Sequence, residues 1–205
     1  VGTTDVTSVD GNNTGATTFD TLEGRLGTDA FVLTGTDAGT VNGSTTFQDL
    51  QSIDGRDGAD SFTIQTAGRL TRTLTGGLGD DTLIGPATGS TFTVSAADAG
   101  DLLIGGGAAL NISGFNGDTG FNTIENVEGG DGQDTVNVTA TGSLTGGINT
   151  GAEDDTISIS STVGGLVSTG TGDDEVTLNG ADVTGGGVNT GADADDVTIQ
   201  NAVSG

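Results

Sequence analysis

Seven times along the chain an aspartate recurs in one fixed frame: Asp29, Asp60, Asp81, Asp134, Asp155, Asp174 and Asp195. Seven residues before each stands an aliphatic side chain: Leu22, Ile53, Leu74, Val127, Ile148, Val167 and Val188. Four before stands Gly or Arg: Arg25, Arg56, Gly77, Gly130, Gly151, Gly170 and Gly191. Two after it the residue is always apolar: Phe31, Phe62, Leu83, Val136, Ile157, Val176 and Val197. The unit is therefore aliphatic-x-x-[Gly/Arg]-x-x-x-Asp-x-apolar, and its short spacings are about 20 residues, a period that points to solenoids, propellers or arrays.

That frame overrides what composition suggests. With 29 Asp and Glu against four Arg, a net charge of -25 and only 31% apolar residues, the chain carries the signature of disorder. A disordered acidic tail has no reason to hold apolar residues at two fixed offsets. After each Asp the pattern alternates, as in Val136-Asn137-Val138 and Ile157-Ser158-Ile159, and period two with β-branched residues reads as strand. The 40 glycines argue against helix. The expectation is an all-β, parallel β-solenoid of one domain, with coils of about 20 residues and the acidic turns stacked along one edge.

A longer repeat lies on top. "FVLTGTDAG" (31–39) is similar to "FTVSAADAG" (92–100), and "FQDLQSIDGRDGADSFTI" (47–64) to "FNTIENVEGGDGQDTVNV" (121–138). The expected divisions are an N-terminal rung at 1–18, a first long repeat at 19–104, a Gly-rich insertion at 105–120 and regular acidic-turn coils at 121–205. In the gap between Asp81 and Asp134, Ser90 takes the Asp slot nine residues on from the Asp81 turn, and the segment reads as coils lacking the acidic turn.

In such a stack equivalent aspartates would sit about 4.8 Å apart, the distance between paired strands. Two unit charges at that distance repel by roughly 3 kcal/mol at an effective dielectric of 20. Further acids crowd the same turns: Asp57, Asp80, Asp131, Glu153, Asp154, Asp173 and Asp193. No basic residue recurs there, so a cation between the rungs is expected. Carboxylates and turn carbonyls without His or Cys select a hard ion, and flexible turns favour Ca²⁺ over Mg²⁺. The competing reading is a solvated face or turn caps that never meet metal.

Gly76–Ile84 and Gly129–Asn137 match the G-G-x-G-x-D-x-U-x nonapeptide and resemble RTX calcium-binding β-rolls; the other five turns match it in part. The resemblance implies a right-handed coil and a ladder of Ca²⁺ ions, with Asp29, Asp60, Asp81, Asp134, Asp155, Asp174 and Asp195 as metal ligands alongside turn carbonyls. RTX rolls repeat the nonapeptide in tandem with calcium at both edges. One such turn per coil here implies a ladder on one edge, and Arg25 and Arg56 replace a motif Gly in the first two turns. The longer repeat, through "TGTDAGTVNG", "FNTIENVEGGDGQDTV" and "GGLGDDTLIGPATGSTFTV", resembles the β-strand repeats of large bacterial haemagglutinin- or adhesin-like surface proteins, which implies an extracellular, cell-surface setting.

Charge excludes nucleic acid and anionic lipid as partners, and no apolar run is long enough to span a membrane. Without Lys, His, Tyr or Cys, and with acids spread over every turn, no catalytic constellation converges; no enzyme is expected. A sequence that begins at Val1 with no leader reads as a processed or excised segment. Three functions remain: a structural subunit stacking head to tail into an extracellular filament, a stalk segment of a calcium-dependent adhesin, and an ice-binding solenoid. The last is disfavoured because the positions three after the Asp, Val32, Thr63, Ile84, Asn137, Ser158, Thr177 and Thr198, form no regular Thr ladder. Stacking fits an uncapped strand edge, with all four Arg in the first 72 residues and only acids beyond.

Overall fold

The structure, a computed structural model, describes residues 20–105 and 120–200 in full and the backbone of 8–10. Among the described residues every regular element is a β-strand, and no helix is long and apolar enough to cross a membrane. The strands form two ten-stranded sheets and one of three strands, mostly parallel, an arrangement of the β-helix or solenoid-like class.

The first sheet runs from Ser8–Asp10 through Thr45–Gln48, Ala38–Val41, Ala30–Gly35, Ser61–Ile64, Thr82–Ile84, Asn126–Gly130, Ile148–Ala152 and Val167–Thr171 to Val188–Asn189. The second runs from Thr21–Glu23 through Ser52–Asp57, Leu74–Leu78, Phe121–Asn122, Ala99–Ile104, Ser90–Ala96, Thr135–Val138, Thr156–Ile159 and Glu175–Asn179 to Asp196–Gln200. The third is Ser143–Leu144, Thr162–Val163 and Asp182–Val183. Successive rungs pair in register at the sequence period: Val136 faces Ile157, Ile157 faces Val176 and Val176 faces Val197.

Strand alternation explains the two apolar offsets. The residues two after each Asp and seven before it point between the sheets, so Phe31, Phe62, Leu83, Val136, Ile157 and Val176 are fully buried, and Leu74, Val127, Ile148 and Val167 lie in the same core. Among the described residues the aromatic filling is Phe31, Phe47, Phe62, Phe92 and Phe121, and Phe31 and Phe62 stack with centroids 5.1 Å apart. Two after Asp134, Asp155 and Asp174 the inward residue is Val or Ile.

Two expectations change. The stack is not parallel throughout. Ala30–Gly35, Ala38–Val41 and Thr45–Gln48 form an antiparallel meander, and so do Ser90–Ala96, Ala99–Ile104 and Phe121–Asn122. The segment after Gly85, read as coils without an acidic turn, is therefore a hairpin. Its tight turn is set by Asp98 in the left-handed region (φ 48°), as Asp37 (φ 53°) sets the first. Each of these aspartates accepts a bond from the backbone N–H of a later threonine, Thr71 for Asp37 at 2.8 Å and Thr145 for Asp98 at 2.7 Å.

The other change is that the acidic turns stack along two lines, not one. At Asp29, Asp60 and Asp81 the chain passes from the second sheet to the first; at Ser90, Asp134, Asp155, Asp174 and Asp195 it passes from the first to the second. The cause is the nine-residue step from Asp81 to Ser90, too short for a full coil, after which the second copy of the long repeat runs on the opposite sheets. Phe31 lies in the first sheet and its counterpart Phe92 in the second. Of the expected divisions, the rung at 1–18 and the insertion at 105–120 fall almost wholly outside the described residues; Ser8–Asp10 pairs parallel with Thr46–Gln48.

Candidate functional site

The repeated aspartates form two hydrogen-bonded columns inside the stack. In the first, the Asp29 N–H donates to Asp60 Oδ1 (2.7 Å), the Asp60 N–H to Asp81 Oδ1 (2.8 Å) and the Asp81 N–H to Glu125 Oε2 (2.7 Å). In the second, Ser90 N–H donates to Asp134 Oδ1 (2.6 Å), Asp134 to Asp155 (2.8 Å), Asp155 to Asp174 (2.9 Å) and Asp174 to Asp195 (3.2 Å). Each carboxylate thus pairs a strand-end N–H that the turn would otherwise leave unsatisfied. The two columns bring together all seven sequence-predicted aspartates, three in one and four in the other.

These carboxylates are not a solvated face. Asp29, Asp60, Asp81, Asp134, Asp155 and Asp174 are between 0% and 2% exposed; Asp195, in the last described rung, is half-buried. The seven secondary acids, Asp57, Asp80, Asp131, Glu153, Asp154, Asp173 and Asp193, are all exposed. The doublets Asp154-Asp155 and Asp173-Asp174 therefore straddle the backbone. The second carboxylate enters the interior, while the first stays outside, where Asp154 Oδ1 accepts the Asp173 N–H (2.9 Å) and Asp173 Oδ1 the Ala194 N–H (3.0 Å).

The second oxygen is the unusual one. Oδ2 of Asp60, Asp81, Asp134, Asp155 and Asp174 is buried with no hydrogen-bond partner, and so is the Ser90 hydroxyl. In the glycine turns this atom lies over the Cα five residues earlier: a Cβ at Gly76 would fall 2.6 Å from Asp81 Oδ2 and closer still to the Thr123 carbonyl. From Asp155 onward that position is threonine. The Thr150 hydroxyl donates to the Thr169 carbonyl (3.3 Å) and the Thr169 hydroxyl to the Thr190 carbonyl (2.9 Å).

Buried, stacked carboxylates resist ionisation. Burial first, then the neighbouring Glu125, Asp60 and Asp80 charges, pushes Asp81 from 3.8 to about 6 despite the Asp60 N–H. Burial, with Asp155 next in the column, pushes Asp134 to about 7. Asp60, Asp155 and Glu125 are raised for the same leading reason. Asp29 is the exception. Burial would raise it, but Asn42 and Arg25 bond it and hold it below the ordinary value.

The sequence frame missed Glu125, which takes the place of an aspartate in the first column. Its signal was Val127 two residues on, the apolar offset of the frame. Its counterpart in the first copy of the long repeat is Gln51, whose Oε1 accepts the Asp20 N–H (2.9 Å). Ser90, by contrast, sits where the spacing put it.

An orphaned, buried carboxylate oxygen on rung after rung is a donor set that fits a cation. Among the described residues no three Asp, Glu, His or Cys side chains gather round one point. An ion held here would therefore draw most of its ligands from turn carbonyls, a hard all-oxygen set suited to Ca²⁺. Comparison of the chain with protein-family models, with curated proteins and with solved structures finds no match.

Proposed function

We propose that the chain is a calcium-stabilised, right-handed parallel β-solenoid with a structural role outside the cell, stacking head to tail into a surface filament or matrix fibre. The observation that carries this reading is the pair of buried carboxylate columns with their unpartnered Oδ2 atoms. Isolated charges of one sign at strand spacing are costly in a low-dielectric interior, and among the described residues no basic side chain neutralises any of them but Asp29. Calcium, when bound, supplies the positive charge and the missing ligand bonds. Asp60, Asp81, Asp134, Asp155, Asp174 and Asp195, with turn carbonyls, would hold it, and Asp29 stands at the head of the first column. Extracellular modules bind Ca²⁺ at about 10⁻⁴–10⁻³ M, which suits a chain whose order depends on millimolar supply. Bacterial surface display follows from the resemblance of its longer repeat.

Stacking is supported by the last described rung. Val197 and Ile199 continue the inward columns of Val176 and Leu178, yet are 43% and 68% exposed, and Asp196–Gln200 is paired on one side only. Such an edge pairs with a further rung. The further rung belongs to a second copy in the filament reading and to continuing chain in an adhesin stalk. Two copies of the long repeat within one chain favour the stalk as the second reading. Electron microscopy and sedimentation at 5 mM CaCl₂ separate the two. Filaments with an axial repeat of one chain support the first; monodisperse rods at high concentration overturn it in favour of the stalk. An unchanged circular dichroism spectrum and melting temperature in EGTA would remove calcium from both.

A further inference from the structure

We infer that Arg25 is a built-in cation that closes the first carboxylate column, so that the ladder of ions begins beyond Asp29 and the first rung is neutralised without metal. The inference rests on the calcium reading above and narrows which of the aspartates it involves.

Asp29 differs from the other buried aspartates of the two columns in having both oxygens paired. Its Oδ1 accepts the Arg25 Nε–H (2.7 Å) and the Asn42 Nδ2–H (2.6 Å); its Oδ2 accepts the Arg25 backbone N–H (2.6 Å). Asn42 Oδ1 in turn accepts the Ala30 N–H (3.0 Å), so one side chain of the first meander seals the end of the column. The guanidinium also donates to the Thr28 carbonyl (3.0 Å), a turn carbonyl of the kind an ion would use. A guanidinium paired with a fully buried carboxylate is a charge-assisted contact of the strong class.

Backbone conformation explains why only this turn closes. At the same place in the frame, four before the aspartate, Arg56, Gly77, Gly130, Gly151, Gly170 and Gly191 all have φ between 77° and 120°. Arg25 stays outside the left-handed region, and its N–H turns in to Oδ2. In the other turns that N–H faces away: Arg56 N–H goes to Asp54 Oδ1 (3.0 Å) and Gly77 N–H to Thr123 Oγ1 (2.8 Å). Arg56 is therefore no second cap. Its guanidinium reaches outward to Glu23 (3.4 Å), and Asp60 Oδ2 stays unpartnered. Two arginines at the same motif position do different things, and only one replaces an ion.

Native mass spectrometry with CaCl₂ titration tests this on the intact chain. Arg25→Gly restores the motif glycine, removes the guanidinium from Asp29 Oδ1 and lets the turn adopt the left-handed conformation in which its N–H faces away from Oδ2, so it should bind one more Ca²⁺ than the wild type. Arg56→Gly should leave the count unchanged, and Asp29→Asn added to Arg25→Gly should abolish the extra ion. Amide hydrogen exchange of the wild type in EGTA gives a second readout that needs no variant to fold. The Asp29 and Ala30 amides should stay protected when those of Asp134, Asp155 and Asp174 exchange at least tenfold faster than with calcium. If the wild type binds calcium but Arg25→Gly gains no ion, or the first-rung amides lose protection with the rest, Arg25 is not the cap. If the wild type binds no calcium, the calcium reading fails and this inference with it.

Discussion

The two carboxylate columns are built on one turn and end differently. The first has irregular steps, is lined by phenylalanine cores and is closed at its head by Arg25 and Asn42. The second takes one step of 44 residues from Ser90 and then steps by 21, 19 and 21; the inward residues two after these positions are Phe92 and then only Val and Ile, and it contains no basic residue. The first half thus carries more apolar packing per rung and an internal counter-charge. The second half has the larger uncompensated charge and the thinner core. One turn motif can thus be stabilised from inside the chain or from outside it, and the second half is where outside help matters.

The widest consequence is in pH. Asp81 and Asp134 have folded-state values of about 6 and about 7, both above the 3.8 expected of an unfolded aspartate. Between those limits the native state holds more protons than the unfolded one, so stability falls as pH rises. Stability is full below about 3.8 and is lost as pH passes 6 and then 7. In EGTA, the melting temperature should therefore drop from pH 5 to pH 8, with the second half exchanging its amides first. In 5 mM CaCl₂ the slope should reverse, because protons compete with the ion for the same oxygens. A flat or rising profile in EGTA would show that the columns are neutralised some other way.

The packing half of the comparison is tested by truncating matched inward positions. Phe62→Ala removes one ring of the Phe31–Phe62 stack and should cost about 3–5 kcal/mol. Val176→Ala removes two buried carbons and should cost about 2 kcal/mol, from about 0.8 per carbon plus a small cavity. Denaturant unfolding at saturating calcium, where the charge difference is suppressed, measures both. Equal costs would mean that the first half gains nothing from its aromatic core.

How much of this was legible in the chain varies by residue. The frame itself, the strand after each Asp, the inward apolar columns and the Ser90 slot all follow from offsets that strand period dictates. The exchange of margins was not legible. A strand alternates the same way whichever sheet it joins, and only the nine-residue step to Ser90 hinted at a half coil. The antiparallel hairpins were hidden because a left-handed turn at Asp37 or Asp98 needs no glycine. The direction of each carboxylate was hidden too. Composition says that acids are exposed, whereas Asp81 and Asp155 are buried because they pair a backbone N–H of the rung before. Gln51 and Glu125 escaped notice because a longer side chain does the same work under a different letter.

The smallest effect splits the acidic doublet. Asp154 and Asp155 are neighbours in sequence, but only Asp155 enters the column. Asp154→Ala removes one exposed acceptor, that of the Asp173 N–H, which water can replace. The cost should be at the low end of a net hydrogen bond, about 0.5 kcal/mol. It also removes a charge that raises Asp155, so in EGTA the net change should be close to zero. Asp155→Asn keeps an oxygen for the Asp134 N–H and removes the buried charge. It should stabilise the metal-free chain, yet bind fewer ions and lose part of the calcium-induced rise in melting temperature. Calcium stoichiometry and melting temperature, with and without EGTA, read both variants. Loss of an ion in Asp154→Ala with none lost in Asp155→Asn would move the metal to the outer ladder. It would leave the buried columns as purely hydrogen-bonding devices.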